Sequence, residues 1–208
     1  MKLSSSAFSD GQFMPAEFCA GIPDAEQHAT MGRNISPPLS WSELPTGTQS
    51  LVLICVDKDV PSVGDDVNQE GREVPADLPR VNFYHWIMVD LSPELSSLEQ
   101  AQFADGFIPG GKTGPEGPLN TRQGINNYRE WFGDDPDMGG EYFGYDGPFP
   151  PWNDARMHNY HFELYALDVA RCAVEGKFTG EEVMAAIEGH VLGSASISVQ
   201  YSLNPKLR

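Results

Sequence analysis

The sequence predicts a mostly β protein of two packed antiparallel sheets with one or a few short helices, in a single domain spanning residues 1–208. Three observations carry this. Glycine and proline are abundant, 21 and 17 of 208 residues, and follow no short period; scattered among apolar runs, they mark turns and not a disordered chain. The apolar runs themselves have strand length, and several alternate with polar residues. Capped helical periodicity occurs once, late in the chain. With 40% hydrophobic residues the chain can bury a core without disulfide or metal staples.

The elements follow in order. Residues 1–30 are broken by Gly11, Pro15, Gly21 and Pro23, which leaves room for short strands only. In Asn34-Ile35-Ser36-Pro37-Pro38-Leu39-Ser40-Trp41 the proline pair enforces an extended path, and Leu39 and Trp41 alternate with Ser40 and Ser42 as a short strand entering the core. Ser50 to Val56 is continuously apolar and seven residues long, which fits a strand buried on both faces. It runs into Asp57-Lys58-Asp59-Val60-Pro61. Residues 62–80 are polar and rich in turn residues, a mobile surface excursion. Asn82 to Leu91 is a second central strand, with His85, Ile87, Val89 and Leu91 on one face and Tyr84, Trp86 and Met88 on the other. Residues 93–140 are loop-like and longer than an ordinary connection, which points to function or mobility. In Tyr142 to Asp168, Gly144, Gly147, Pro148, Pro150 and Pro151 exclude helix and inner strand; His158 to Asp168 then reads as a strand. Thr179 with Glu182 forms a capping box. Val183, Met184, Ala186, Ile187 and Val191 keep helical spacing behind it, and Gly189 offers a stop. Finally Ala195, Ile197, Val199, Tyr201 and Leu203 alternate with polar residues in a half-buried strand.

Composition excludes several function classes. Thirty acidic against thirteen basic residues give a formal charge of −17. With no Lys/Arg cluster there is no footprint for nucleic acid, and an acidic membrane surface would repel the chain. No apolar run approaches a membrane span of about 18 residues. The N-terminal stretch lacks the apolar segment of a signal peptide, so the expected location is cytoplasmic. Cys19, Cys55 and Cys172 are an odd number without metal-like spacing, and Cys55 reads as a small core residue.

The chemistry-bearing residues sit at strand ends. His28 and His190 fall in polar surroundings and read as surface residues. His85 begins a central strand among aromatics, where an unpaired imidazole would be costly. His158 opens another strand behind the proline loop; Tyr160 shares its face, and His161 points away. Asp57 ends the first buried strand, with Asp59 on the same parity, and a carboxylate beside an imidazole fixes its tautomer and favours its charge. Asp57, His85, His158 and Tyr160 are either separate satisfied core residues or one polar pocket. Such a pocket could bind zinc, though no paired ligand spacing supports it. It could serve a hydrolase built on Asp57, His85 and His158, although no G-x-S-x-G occurs. Or it could be a cup for an anion, with imidazole and phenol as donors. A hydrogen bond to a charged group contributes roughly 1.5–3 kcal/mol, and distant carboxylates are screened over about 8 Å. Local donors can therefore outweigh the acidic surface.

The motifs resemble those of the phosphatidylethanolamine-binding protein family, and most of all its bacterial, Raf kinase inhibitor-like branch. They are Asn34 to Trp41, Asp57 to Pro61, His85-Trp86-Ile87-Met88-Val89, Gly147-Pro148-Phe149-Pro150-Pro151, His158-Asn159-Tyr160 and Leu164 to Asp168, in the family's order over residues 8 to 203. The resemblance implies a two-sheet sandwich with Greek-key connections and a non-enzymatic anion cup formed by Asp57, His85, His158 and Tyr160. Pro61, Pro150 and Pro151 would line it, Asp59 would support the loop, and the Val60–Pro61 bond would be cis. No catalytic residue, metal or cofactor is implied. The ligand class is a small anionic or phosphorylated molecule. The alternative is an inhibitor of a protein kinase or protease acting through the acidic loops, and a homodimer is an open assembly state. Two departures stand out: Lys58 replaces the usual proline, and Asn159 the usual arginine. Loops 62–80 and 93–140 look long and acidic, and a cup walled by them suits a small ligand better than a whole lipid.

Overall fold

A computed structural model describes residues 1–208. In chain order the strands are β1 (Lys2–Ser4), β2 (Gln12–Phe13), β3 (Gly21–Asp24), β4 (His28–Met31), β5 (Leu39–Ser42), β6 (Ser50–Pro61), β7 (Arg80–Leu91), β8 (Ser97–Leu98), β9 (Arg122–Gln123), β10 (His158–Leu167) and β11 (Val191–Tyr201). The helices are α1 (Tyr128–Phe132), between β9 and β10, and α2 (Gly180–Ala186), between β10 and β11. No helix is long and apolar enough to cross a membrane.

The mostly β expectation holds, distributed over three sheets. A six-stranded sheet runs β2-β11-β10-β6-β7-β9, a three-stranded sheet runs β1-β5-β8, and β3 and β4 form a separate hairpin. One pairing departs from the antiparallel expectation: the short edge strand β2 runs parallel to β11. Leu39, Trp41 and Leu98 of the smaller sheet join Leu53, Trp86, Phe162 and Leu164 of the larger one in the main core cluster. The other face of the large sheet buries Val52, Ile54 and Val56 beneath Phe178, Val183 and Ile187. β6 is thus apolar on both faces, and its run is continuous for that reason.

Two bulges in β7 overturn the simple alternation expected there. Cys55 pairs with Trp86 and Val56 with Tyr84, so His85 is the extra residue of β7 opposite the single Cys55–Val56 step of β6. A second shift falls between Leu51 and Leu53, opposite Asp90, whose φ is +62°. Tyr84 consequently joins Ile87 and Val89 on the α2 side, while Trp86, Met88 and Leu91 face the main core. An extra residue re-aims the side chain at its position, and here it turns His85 toward Tyr160.

The capping box is formed as expected: Thr179 Oγ1 accepts from Glu182 N, and the Glu182 carboxylate accepts from Thr179 N. α2 stops at Ala186, one turn before Gly189. Residues 62–80 are pinned and not a free excursion. Asn153 Nδ2 donates to the carbonyls of Asp66, Gln69 and Arg72, and its Oδ1 accepts from Asn68 N. Val67 and Val74 are buried beneath that turn.

Candidate functional site

β6 delivers Asp57, the β7 bulge delivers His85, and the first residues of β10 deliver His158 and Tyr160. The register sets Tyr160 directly opposite Asp57. These four side chains, with Pro61, Pro150 and Pro151, line one cleft of about 250 Å³. Every expected lining residue is therefore in one place. Asp59 is not among the lining residues. The cis bond expected at Val60–Pro61 is instead trans; the cis peptide of this chain precedes Pro115.

His158 is held from both ends. Its Nδ1–H donates to Asp57 Oδ2 at 2.6 Å and its Nε2–H to Asp154 Oδ2 at 3.0 Å. Both partners are carboxylates, so the ring is an imidazolium. Burial opposes that charge, but Asp57 and then Asp154 outweigh it and raise the His158 pKa to about 9. Asp154 in turn takes Arg80 as a bidentate partner at 2.5 and 3.0 Å. Burial would raise the Asp154 carboxyl, yet the bonds from His158 and Arg80 lower it. Asp57 uses its other oxygen to accept from Asp59 N at 2.8 Å. The unit carries two carboxylates, one imidazolium and one guanidinium, and its net charge is zero. With both N–H groups engaged, His158 has none left for a ligand, which corrects its expected role as a donor.

His85 has the opposite environment. Its Nδ1–H donates to the Asp146 carbonyl at 2.8 Å, and the Asp146 N–H donates back to the His85 carbonyl at 3.0 Å. Burial pushes its pKa down to about 4, against the pull of Asp57. The ring is therefore neutral, with Nε2 a bare acceptor. Asp146 cannot drift from this position. Its carboxylate accepts from Asn34 Nδ2 at 2.8 Å, Lys112 Nζ at 2.6 Å and Asn126 Nδ2 at 2.8 Å. Asn34 Oδ1 also takes the Gly147 N–H at 2.7 Å. A Cβ at Gly147 would overlap the Phe18 carbonyl oxygen, so glycine here is a condition of the close approach. Sequence reasoning singled out the segments of Asn34 and Gly147 but missed Asp146 and Lys112.

Aromatic rings wall the cleft. Tyr128 of α1 stands edge-on to His85 at 5.5 Å, as does Tyr160 at 5.1 Å. Tyr128 Oη donates to the Gly147 carbonyl at 2.7 Å. Phe83, Phe132 and Phe149 continue the wall, and Trp131 and Val63, each half exposed, flank the mouth. The helical aromatic spacing in Tyr128-Arg129-Glu130-Trp131-Phe132 was the available signal for α1, and the loop reading of 93–140 missed it. Burial, and then Asp57 beside it, raise the Tyr160 phenol well above its usual range, so it stays a neutral donor. Neither Tyr160 Oη, which stands beside the Asp57 carboxylate, nor His85 Nε2 makes a hydrogen bond of normal geometry within the chain, and both residues line the cleft.

The two positions that depart from the motif have partners of their own. Asp59 accepts from the Asn159 backbone N–H at 3.0 Å and its Nδ2 at 2.9 Å, and pairs with Arg156 Nε at 2.7 Å. The cation beside Asp59 is Arg156, three residues upstream of Asn159. Lys58 points outward to Glu163 at 2.7 Å. The ring nitrogens of His85 and His158 bond a carbonyl and two carboxylates, and none bonds a serine, threonine or cysteine. No group of three or more His, Cys, Asp or Glu side chains converges as a metal site would require.

This fold and cleft define a β-sheet protein with a polar-floored, aromatic-walled cavity at the strand ends. The chain belongs to the phosphatidylethanolamine-binding protein family, whose profile matches residues 4–202. It is 35% identical to a UPF0098 protein of Chlamydia muridarum, over 97% of this chain and 98% of that one. It is 31% identical to the UPF0098 protein YbhB of Escherichia coli, over 97% and 100%. The crystal structure of CT736 from Chlamydia trachomatis, described as a putative phosphatidylethanolamine-binding protein homolog, matches with a TM-score of 0.64 at 30% identity, covering 97% of this chain and 96% of that chain. E. coli YbcL shares the fold at a TM-score of 0.68 and 21% identity, covering 97% of each chain.

Proposed function

We propose that this chain is a non-enzymatic binding protein whose cleft takes a small phosphate-bearing ligand with an apolar substituent. One observation carries the reading: His85 Nε2 and Tyr160 Oη, the latter beside the Asp57 carboxylate, make no hydrogen bond of normal geometry at the floor of an aromatic-walled cleft. Two convergent polar atoms beneath an apolar wall are the usual pattern of a small-molecule site. The phosphate class is what family membership suggests, and Tyr160 supplies a donor for it. The aromatic wall between floor and mouth has no use for a bare ion but can enclose an aryl or short acyl group. His158, Asp57, Asp154 and Arg80 hold the floor in place without contributing net charge. His85 and Tyr160 are the contact residues, and the prolines fix the loop that closes the side.

Calorimetric titration with phenyl phosphate at pH 6 tests this. Saturable binding, weakened by Tyr160→Phe while the fold is kept, is the expected result. Absence of binding, or an affinity indifferent to Tyr160→Phe, would overturn it.

A further inference from the structure

We propose that the cleft takes its phosphomonoester together with one proton: the ligand's P–OH is held by His85 Nε2 while Tyr160 Oη donates to a phosphoryl oxygen. This rests on the binding reading above and concerns the protonation state in which the ligand is recognised.

The geometry of one backbone carbonyl supplies the argument. A carbonyl only accepts, so the bond from His85 Nδ1 to Asp146 O puts the ring hydrogen on Nδ1. The neutral ring then presents a lone pair, not a donor, to the cleft. Rotating the ring to expose Nδ1–H would break that bond. Asp146 cannot follow, because its N–H is tied to the His85 carbonyl and its carboxylate to Asn34, Asn126 and Lys112. A fully deprotonated phosphate would therefore set an anionic oxygen against a lone pair, beside the Asp57 carboxylate. One hydrogen between oxygen and nitrogen turns that repulsion into a hydrogen bond. Whether it finally resides on oxygen or nitrogen, the complex holds one more proton than the free dianion and the free protein together.

The groups facing His85 set the terms. From β6 comes Asp57, which favours charging the ring; from β10 come His158, whose positive charge opposes it, and the neutral Tyr160; from α1 comes the neutral Tyr128. Phe83, on β7 itself, is uncharged. Asp154 and Arg80 stand behind His158 and balance each other. Burial is the largest influence and keeps the empty ring neutral, with a pKa of about 4. At pH 7, protonating the empty ring costs about 1,000-fold in affinity, whereas a phosphomonoester with its second pKa near 6 supplies the same proton at a cost of about tenfold. A sulfate monoester has the shape and charge of the phosphate monoanion but no proton, and the difference leaves it about 100-fold weaker.

The experiment needs no variant. The full chain is titrated with phenyl phosphate at pH 7.5 in two buffers of different ionisation enthalpy, and the difference in observed heat counts protons. Uptake of about one proton per ligand bound is expected, since at that pH the free ligand is almost entirely dianion. Phenyl sulfate at pH 7 should bind about 100-fold more weakly than phenyl phosphate. Binding with proton uptake near zero, or equal affinity for the two esters, overturns the proton inference and leaves the binding reading intact. No binding of phenyl phosphate between pH 5.5 and 8 overturns both. In His85→Gln the side-chain amide can donate, so proton uptake should vanish and phenyl sulfate should gain on phenyl phosphate. A variant that binds and still takes up one proton refutes the assignment to His85.

Discussion

His158 sits between two carboxylates, and its removal should be felt in stability before it is felt in binding. In the folded chain its pKa is about 9, against 6.5 for the unfolded residue. A pKa raised on folding gives stability that is fully present below pH 6.5 and is lost as pH rises through 9. At 1.36 kcal/mol per pKa unit, that contribution is about 3 kcal/mol. His158→Gln leaves Asp57 Oδ2 and Asp154 Oδ2 without the cation between them, and removing one member of a buried ionic unit costs about 3–5 kcal/mol. Urea denaturation at pH 6, 7.5 and 9.5 measures both effects. The wild type should lose about 3 kcal/mol more than the variant across that range, and the variant should already be weak at pH 6. The ring protons of His158, followed by NMR, should titrate far above the usual histidine range. Titration near pH 6.5, or a variant as stable as the wild type, would refute the reasoning. Loss of ligand binding in His158→Ala would thus report a damaged floor and not a lost contact; His85 and Tyr160 are the informative positions.

Three further outcomes follow from the same structure. His85, with its folded pKa depressed from 6.5 to about 4, contributes stability that is present above pH 6.5 and lost as pH falls through 4; His85→Gln should flatten that acid limb in the same denaturation series. Asn34→Ala removes hydrogen bonds to Asp146, Gly106 and Gly147 at a buried position with φ of +52°; about 1 kcal/mol per bond and the strain of a left-handed alanine predict a loss of about 3 kcal/mol or more, read as a lower urea midpoint. Trp131→Ala, at a side chain half exposed beside the cleft mouth, should change stability by less than about 0.5 kcal/mol, yet weaken phenyl phosphate while leaving inorganic phosphate unchanged in calorimetry.

Much of the fold was legible because its cause is local. The apolar run of β6 reports burial on both faces, the alternation of β10 reports one main-core face, and Thr179 with Glu182 reports a helix start. The lining residues were legible because proline and histidine stand out at strand ends, and a resemblance over six ordered motifs tied them together. What stayed hidden is relational. Period-two counting cannot see an inserted residue, so the bulges of β7 put His85, Tyr84 and Leu91 on other faces than those assigned, while Ile87 and Val89 stay opposite Trp86 and Met88. Asp154 lies four residues before His158 in a turn, and nothing in that spacing says its carboxylate reaches the ring. The spacing likewise did not show that Arg156, three residues before Asn159, pairs with Asp59.

The two cleft histidines show why residue type alone does not fix chemistry. They belong to strands on either side of β6, stand against the same tyrosine, and would be written identically in any motif. One faces carboxylates at both nitrogens and holds its charge to a pKa of about 9; the other faces a carbonyl at one nitrogen and empty cleft at the other, and is neutral above about 4. Burial opposes charge at both, so the partner decides the outcome. A carboxylate partner is a side chain and can in principle be guessed. The partner of His85 is a main-chain oxygen, present at every residue and positioned by the Asp146 N–H on the His85 carbonyl and by Asn34, Asn126 and Lys112 gripping the Asp146 carboxylate. Loosening that grip by Lys112→Met, which leaves Asp146 buried with one cation fewer, should free the ring to turn Nδ1–H into the cleft. The proton uptake that accompanies phosphomonoester binding would then shrink, while a variant that kept full uptake would show that the carbonyl holds the tautomer without the lysine.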